Sequence, residues 1–384
     1  MERRPTLPFD ALEIRVSLQK LLIGLILVIV PLSFVGLYLT SESDTALEQT
    51  LGIHFRTIAQ TEGAATAQFI NDRTLDVAAL AVNPAVRKAI AEVERSRKGL
   101  ENATVAARAR KIESAWDAPQ VGSLVETLLS SPASQALRQY REVDPRILKI
   151  IVADETGATV AATDKPLHYI QPDPAYWQGV YGKLAGSVYV SELRYDDQSN
   201  LHYLEIGVPV LEEGTGRFVG ALNALVDVSS LLRRFKRGDM GRTARTMLVK
   251  DDGTLISAPK VDASRKLKLD EYPAVSDALG TLQGRQIGYV VATRKGENRI
   301  VGFADIGLKA KYSNLGWLIL VSQDEQEALA PFRSVAHFAL SMVVLALLML
   351  TLLTVYFFLH KKQRLESIEM ANREETPRGT AASA

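Results

Sequence analysis

Two long apolar runs constrain this chain more than any other feature. Residues 21–40 (LLIGLILVIVPLSFVGLYLT) and residues 336–359 (AHFALSMVVLALLMLTLLTVYFFL) contain no Lys, Arg, Asp or Glu. About 20 residues at helical rise match the roughly 30 Å hydrocarbon core of a bilayer, where only a helix satisfies its own backbone hydrogen bonds. We therefore predict two transmembrane helices, over residues 21–40 and 336–359.

Each apolar run has a competing interpretation. The first resembles a cleaved signal peptide, but it is too long and no small-x-small cleavage site precedes the acidic SESD segment. The second could be a buried core helix, although such helices rarely stay uncharged over so many positions. A membrane span accounts better for both runs.

Basic residues beside the two runs predict the orientation of the chain. Arg15 and Lys20 precede the first run, and Lys361 and Lys362 follow the second. Because Lys and Arg accumulate on the cytoplasmic side, we expect both termini, residues 1–20 and the short tail 360–384, in the cytoplasm. Residues 41–335 are then extracytoplasmic, in a two-pass protein of the inner cell membrane.

Composition and motifs exclude several functional classes. The formal net charge of +1 gives no argument for a nucleic-acid partner, and a chain without cysteine has neither disulfides nor Cys metal ligands. The sequence lacks HExxH, GxSxG, the P-loop and the glycine-rich dinucleotide fingerprint, and its five histidines lie apart. We expect no catalytic site, no metal and no cofactor.

The region after residue 41 reads first as helix and then as sheet. Apolar residues at helical spacing, including Leu47, Leu51, Phe55 and Ile58, predict a long helix that ends at Asn83-Pro84. Shorter helices are expected over residues 85–96, 103–116 and 121–140, and a further one around residues 173–182. From Asp144-Pro145 onward, short β-rich runs separated by turns predict an antiparallel sheet.

A repeat divides the β-rich region into two modules. IIVADETGATVAAT resembles MLVKDDGTLISAP, with Gly157 placed 96 residues before Gly253, and the same offset separates Gly220 from Gly316. Although such hairpin turns are common singly, two anchors with one offset indicate tandem modules. We predict an α+β fold with modules at about residues 147–232 and 247–323.

An outer helix, two tandem modules and flanking membrane spans resemble the double Cache family of extracytoplasmic sensor domains, over residues 41–335. The most specific stretches are YIQPDPAYW at residues 169–177, YDD at 195–197, VPV at 208–210 and the strand that ends at Asp227. The resemblance implies two PAS-like antiparallel-sheet modules, with the ligand in the membrane-distal module and a structural role for the membrane-proximal one.

The same resemblance implies a set of ligand contacts. Including Asp173 from the aromatic and acidic cluster itself, the predicted ligand-binding residues are Tyr169, Asp173, Tyr176, Trp177, Tyr195, Asp197 and Asp227. The sequence departs from its amino-acid-binding relatives at Pro174, where they carry a carboxylate-binding arginine, and in the order of Tyr176 and Trp177. Aromatic faces with aspartates suit an ammonium group, so we expect an amine or amino-acid-like cation.

Ordinary structural roles compete for these residues. Trp177 fits core packing, Asp227 fits helix capping before Val228-Ser229, and Asp197 fits a hairpin turn.

Two functions remain open from the sequence. The first is a small-molecule sensor that signals through a separate partner, since the tail holds no output domain, with a homodimer formed along Leu47, Leu51, Phe55 and Ile58. That stripe equally suits packing on the protein's own sheets. The alternative is a structural membrane protein whose outer domain binds another protein. A distal pocket lined by Tyr169, Trp177 and Asp227 favours sensing, and a filled core favours the alternative.

Overall fold

A computed structural model describes residues 18–171, 180, 187–197, 199–235, 241–259, 267–282 and 286–374. Three predicted ligand residues, Asp173, Tyr176 and Trp177, lie outside the described residues, as does nearly all of the helix predicted around residues 173–182. Residues Thr50–Glu325 form one compact unit, and residues Met1–Gln49 with Gln326–Ala384 are grouped in a second.

Helices account for the first part of the chain and reappear between and after the strands. Their bounds are α1 Leu18–Ala81, α2 Pro84–Arg97, α3 Asn102–Ser114, α4 Gly122–Ser130, α5 Pro132–Val143, α6 Ser229–Phe235, α7 Tyr272–Thr281 and α8 Glu325–Glu374, with a 3-10 turn at Pro119–Val121.

Eleven described strands form two antiparallel sheets. The strands are β1 Ile147–Asp154, β2 Thr159–Ala162, β3 Tyr189–Val190, β4 Arg194–Asp196, β5 Leu201–Leu211, β6 Phe218–Asp227, β7 Arg245–Lys250, β8 Leu255–Ser257, β9 Ile287–Arg294, β10 Glu297–Asp305 and β11 Trp317–Asp324. The N-terminal sheet has the order β2-β1-β6-β5-β3, with β4 also paired to β5, and the C-terminal sheet has the order β8-β7-β11-β10-β9. The predicted α+β class, long helix and two antiparallel sheets are confirmed.

The long helix ends where the proline predicted it. Pro84 occupies the first turn of α2, and the Asn83 side chain caps that helix by accepting the Ala85 N–H at 2.8 Å. A helix predicted over residues 121–140 is wrong as a single element, because Ser131 is extended (φ −60°, ψ 150°) and separates α4 from α5. The residue before Pro132 is driven out of the helical region, and this break was missed in the sequence.

The repeat is visible in the first hairpin of each sheet. Gly157 and Gly253 have nearly equal φ values of 82° and 83°. The backbone hydrogen bonds that close the two hairpins also match. The Asp154 N–H donates to the Ala158 carbonyl, and the Lys250 N–H donates to the Thr254 carbonyl. The offset is therefore 96 residues here. Between β6 and β11, the last strand of each sheet, the offset is 97 residues. Gly220 lies opposite Asp154, and its counterpart Trp317 lies opposite Lys250.

Helix α1 packs closely on the C-terminal sheet. A Cβ atom on Gly302 of β10 would lie 2.3 Å from the Phe55 carbonyl carbon and 2.4 Å from the Arg56 nitrogen. Phe55 is 3% exposed. The part of the apolar stripe around Phe55 therefore covers this protein's own sheet, as one of the two interpretations of the stripe expected.

One described helix is long and apolar enough to cross a membrane. It covers Leu340–His360 and has a mean hydropathy of 2.6. Residues 21–40 lie within helix α1. That these residues also span a membrane stays a prediction, as do the two-pass topology and the proposed module boundaries.

Candidate functional site

The two faces of the N-terminal sheet differ sharply in polarity. Side chains on successive residues point to opposite faces of a strand. One face carries apolar side chains that are at most 1% exposed: Ile150, Val152, Leu204, Ile206, Val208, Leu222, Ala224 and Val226. The other face, here called the polar face, carries half-buried Lys149, Arg194, Tyr203, Glu205, Asn223, Leu225 and Asp227. Half-buried polar groups on a central sheet are expensive unless they have partners, so this face is the candidate site.

Asp227 lies at one end of the polar face. It pairs with Tyr203 of β5, which pairs in turn with Arg194 of β4. The Asp227 Oδ1 atom accepts the Ser229 N–H at 2.7 Å, so the capping role foreseen for this residue is real. A carboxylate has two oxygens and about four acceptor positions, and therefore capping leaves capacity for a ligand donor.

The register separates two other predicted residues from Asp227. Tyr195 pairs with His202, one row beyond the pair of Arg194 and Tyr203, so Tyr195 points to the opposite face. Its ring is 44% exposed and lies 4.8 Å from the His202 ring. Asp197 is exposed in the turn that follows β4. Arg194 and Asp196, rather than the predicted Tyr195 and Asp197, therefore point to the polar face.

Tyr169 lies near the other edge of the sheet. Its carbonyl accepts the Thr159 N–H at 2.9 Å, which places it beside β2, and its ring centroid is 5.3 Å from that of Trp116. Burial raises the pKa of the Tyr169 hydroxyl, and the charge of Asp154 adds to the effect. Tyr169 is thus a packed tyrosine with its hydroxyl in a partly desolvated setting.

Sequence reasoning missed Lys149, Glu205 and Asn223. Glu205 accepts from Arg194 Nη1 at 2.9 Å, and Lys149 Nζ donates to the Lys165 carbonyl at 3.2 Å. Burial lowers the pKa of the Lys149 ammonium, with an opposing contribution from Asp164. The available signal was a single polar residue inside each otherwise apolar strand, as in ILKIIVAD and FVGALNALVD.

Asn223 occupies the centre of the polar face. It pairs with Ile151 on one side and with Gly207 on the other. Among the described residues, its Oδ1 atom is buried without a hydrogen-bond partner. An unpaired buried acceptor costs about 1–3 kcal/mol, so its presence calls for a reason.

The same row of the C-terminal sheet is filled with large side chains. Leu320, the counterpart of Asn223, pairs with Met247 and with Phe303, which takes the place of Gly207. These three side chains are at most 1% exposed and pack with Val275 of helix α7 in one core cluster. The two sheets share strand order and register but differ in the side chains of this row, which are Ile151, Asn223 and Gly207 in one sheet and Met247, Leu320 and Phe303 in the other.

The strand-end aspartates of the two sheets, Asp227 and Asp324, have different partners. Asp324 forms an ion pair with Arg299, a buried guanidinium that donates through Nε to Ser322 Oγ at 2.7 Å and through Nη2 to the Thr243 carbonyl at 2.8 Å. Glu271 lies 3.4 Å from Arg299 Nε. Burial lowers the pKa of Arg299, and the charges of Asp324 and Glu271 oppose that effect. The C-terminal sheet thus supplies its own cation to the strand-end aspartate.

Chemically, the described part of the polar face offers acceptors, donors and two tyrosines, Tyr203 and Tyr189, the latter paired with Gly207. Among the described residues, no group of three or more His, Asp or Glu side chains could hold a metal ion. Burial raises the pKa of the Tyr203 hydroxyl, and Glu205 contributes further. Such a face suits reversible binding of a small polar molecule.

A separate cleft of about 360 Å³ lies between α2 and the ends of β5 and β6. None of the predicted ligand residues lines it. Its wall contains Glu94 and Glu212, and both carboxylates are paired with Arg217 at the surface. We therefore place the candidate site on the polar face.

Comparisons with known proteins bear on the whole outer region. A family model described as a Cache domain matches residues 43–332. The structural neighbours include the ligand-binding domain of the Pseudomonas fluorescens chemoreceptor CtaA, solved with L-isoleucine (15% identity, 75% of this chain and 98% of that chain, TM-score 0.47). They also include that of the Pseudomonas aeruginosa chemoreceptor PctB, solved with L-Gln (18% identity, 75% and 98%, TM-score 0.43). No curated protein matches this chain.

Proposed function

Because this chain belongs to the double Cache family of sensor domains, we propose that it is a membrane-bound extracytoplasmic sensor of a small molecule. The ligand binds on the polar face of the N-terminal sheet, the membrane-distal module, and is an amine or an amino-acid-like cation. Asp227 receives its ammonium group, while the other half-buried polar side chains of that face complete the contacts.

One observation carries this proposal. The strands of the N-terminal sheet present Gly207, Asn223 and Asp227 where the C-terminal sheet has Phe303, Leu320 and an aspartate already paired with Arg299. Smaller and polar side chains at these positions favour a ligand site.

Signalling requires that the ligand bind one arrangement of the protein better than another. Strand β3 and the segment after it provide a contact route, since Glu192 pairs with Lys250 at 2.6 Å and the Val190 carbonyl accepts from Asn314 at 2.9 Å. Both partners belong to the C-terminal sheet region. We propose that a separate protein with an output domain reads the resulting change.

We also propose a homodimer along helix α1. Ile53 and Leu75 are 40% and 67% exposed on that helix, and a second copy of the helix would cover them. Disulfide crosslinking of Leu75→Cys in membranes tests this arrangement, with the exposed Leu167→Cys as the control. Equal crosslinking of both variants would contradict it.

A thermal unfolding screen of the full-length protein in lipid nanodiscs tests the sensor proposal. Amines, amino acids, carboxylates and purines are compared, because a ligand that binds only the folded state raises the unfolding midpoint. We expect amines or amino acids to raise it, and we expect Asp227→Ala to abolish the increase. Asp252→Ala, at an exposed aspartate in the β7–β8 hairpin of the C-terminal sheet, is the control. A well-folded protein that responds to no compound would favour the protein-interaction function.

A further inference from the structure

The unpaired oxygen of Asn223 defines a second contact within the proposed site. Its Oδ1 atom is buried without a hydrogen-bond partner among the described residues, and it sits between Ile151 and Gly207 in the middle of the polar face. Proteins rarely leave a buried acceptor unpaired, because its desolvation is uncompensated. In the C-terminal sheet the same position is the fully buried Leu320.

The row around Asn223 also has the right shape for a ligand group. Glycine at position 207 contributes no side chain where the C-terminal sheet carries Phe303. Leu225, two residues from Asn223 on the same strand, and Ile151 place apolar atoms on either side of the amide. Tyr189 of β3 pairs with Gly207 and shares this face, so a ligand group reaching this row would contact apolar walls, an aromatic side chain and the amide oxygen.

We infer that Asn223 is a specificity residue that accepts a hydrogen bond from an N–H group of the ligand. This inference rests on the proposed sensor function and deepens it. An N–H of an ammonium or amide group satisfies the orphan acceptor, whereas a deprotonated carboxylate brings only further acceptors to it. Ligands that carry N–H groups are therefore selected over carboxylates of similar size.

The inference predicts effects of opposite sign on stability and on binding. In Asn223→Leu the orphan acceptor is replaced by an apolar side chain, as at Leu320, so the ligand-free protein should unfold at a temperature roughly 2 °C higher. Binding should weaken about 10-fold or more, the loss of one buried hydrogen bond. Asn314→Leu is the matched control, since its Nδ2 already donates to the Val190 carbonyl and its removal should lower the unfolding temperature.

The experiment uses the full-length protein in nanodiscs, with L-alanine, L-glutamine and putrescine as N–H probes and propionate and glutarate as carboxylates without N–H. Calorimetric titration is combined with thermal unfolding for the wild type, Asn223→Leu and Asn223→Asp. We expect an N–H probe to bind the wild type, to be lost in Asn223→Leu and to be recovered in Asn223→Asp, which keeps an oxygen acceptor.

Three results would overturn the inference. If Asn223→Leu raises the unfolding temperature but leaves binding unchanged, a water rather than a ligand satisfies the amide. If propionate or glutarate binds more tightly than the N–H probes, the amide presents its NH₂ group instead. If no compound of the wider screen binds the wild type, the sensor proposal itself fails, and the assignment of Asn223 fails with it.

Discussion

The two sheets share one strand order but carry different side chains on one face. Both begin with the same hairpin around Gly157 or Gly253, and both end in a strand whose final aspartate precedes a helix. The C-terminal sheet closes one face with its own side chains, including buried Phe303, whereas the N-terminal sheet keeps half-buried polar groups there. If the N-terminal sheet binds a ligand as proposed, the repeated module divides stability and recognition between its copies, because the Asn223 Oδ1 atom, unpaired among the described residues, weakens the ligand-free fold.

Replacing Arg299 should give the largest loss of stability. The interactions that are lost all lie in the C-terminal sheet region. Arg299→Met leaves Asp324 without its buried cation and leaves Glu271 only the longer contact with Arg294 at 3.7 Å, so we expect the free energy of unfolding to fall by about 3–5 kcal/mol. Denaturant titration of the full-length protein in detergent measures this. Arg194→Met, which breaks a partly exposed pair with Glu205, should cost at most about 1 kcal/mol. Equal losses would contradict the difference between the sheets.

Gly302→Ala should be the next most damaging change. The new Cβ would lie 2.3 Å from the backbone of Phe55, and backbone atoms of a packed helix move aside only at a cost. We expect about 2 kcal/mol of destabilisation. In Gly280→Ala the new Cβ meets nothing within 4 Å and lies in helix α7, so this control should be neutral or slightly stabilising. Similar midpoints for the two variants would show that α1 does not press on β10.

Asp144 tests how the N-terminal sheet is attached to α1. Its carboxylate accepts from Arg146 and pairs with Arg73 of α1 at 2.9 Å, and the hydrogen bond from Arg146 is the main reason that the Asp144 pKa is lowered. We expect Asp144→Asn to cost about 1–2 kcal/mol at pH 7.

The pH dependence of that cost has a defined sign. A carboxyl group with a lowered pKa in the folded state stabilises above its unfolded pKa of about 4 and loses that contribution as the pH falls through the folded pKa. The wild type and Asp144→Asn should therefore converge on acidification. Asp117→Asn serves as the exposed comparison: the hydrogen bond from Lys165 also lowers the pKa of Asp117, but solvent screens this pair, so its difference should have the same sign and be smaller. A difference that persists below both pKa values would assign the effect to packing.

Lys149→Met should have the smallest effect and the opposite direction. Burial lowers the pKa of Lys149, so keeping this ammonium charged opposes folding at neutral pH. Because solvent screens this half-exposed charge, we expect the methionine variant to be only slightly more stable, and the gap should shrink as the pH rises toward 10 and the wild-type amine loses its charge. Lys88→Met, at a side chain that is 76% exposed, should show no such dependence.

The sequence predicted those features that depend on local chemistry. The residue before Pro84 ends α1, and Gly157 supplies the positive φ that its hairpin requires, so both could be identified without knowing any distant contact. Ser131-Pro132 carries the same signal, and it was missed because the flanking apolar residues keep helical spacing across the break.

The candidate site was less predictable, because strand register determines which side chains share a face. A shift of one residue moves a strand's side chains to the opposite face. The pairing of Tyr195 with His202 places Arg194 rather than Tyr195 beside Tyr203, and nothing within the segment RYDD indicates that choice. Likewise, Asn223 became a candidate only when its unpaired oxygen was located.

The close approach at Gly302 makes the contact between β10 and α1 mechanically stiff. Side chains that separate most helices from sheets can change rotamer and absorb small displacements, but here backbone faces backbone with no such layer between them. A shift of β10 by a fraction of an ångström must therefore move α1 at Phe55 by a similar amount. This contact has almost no compliance. A displacement of β10 would therefore reach helix α1 without being absorbed by side chains between them.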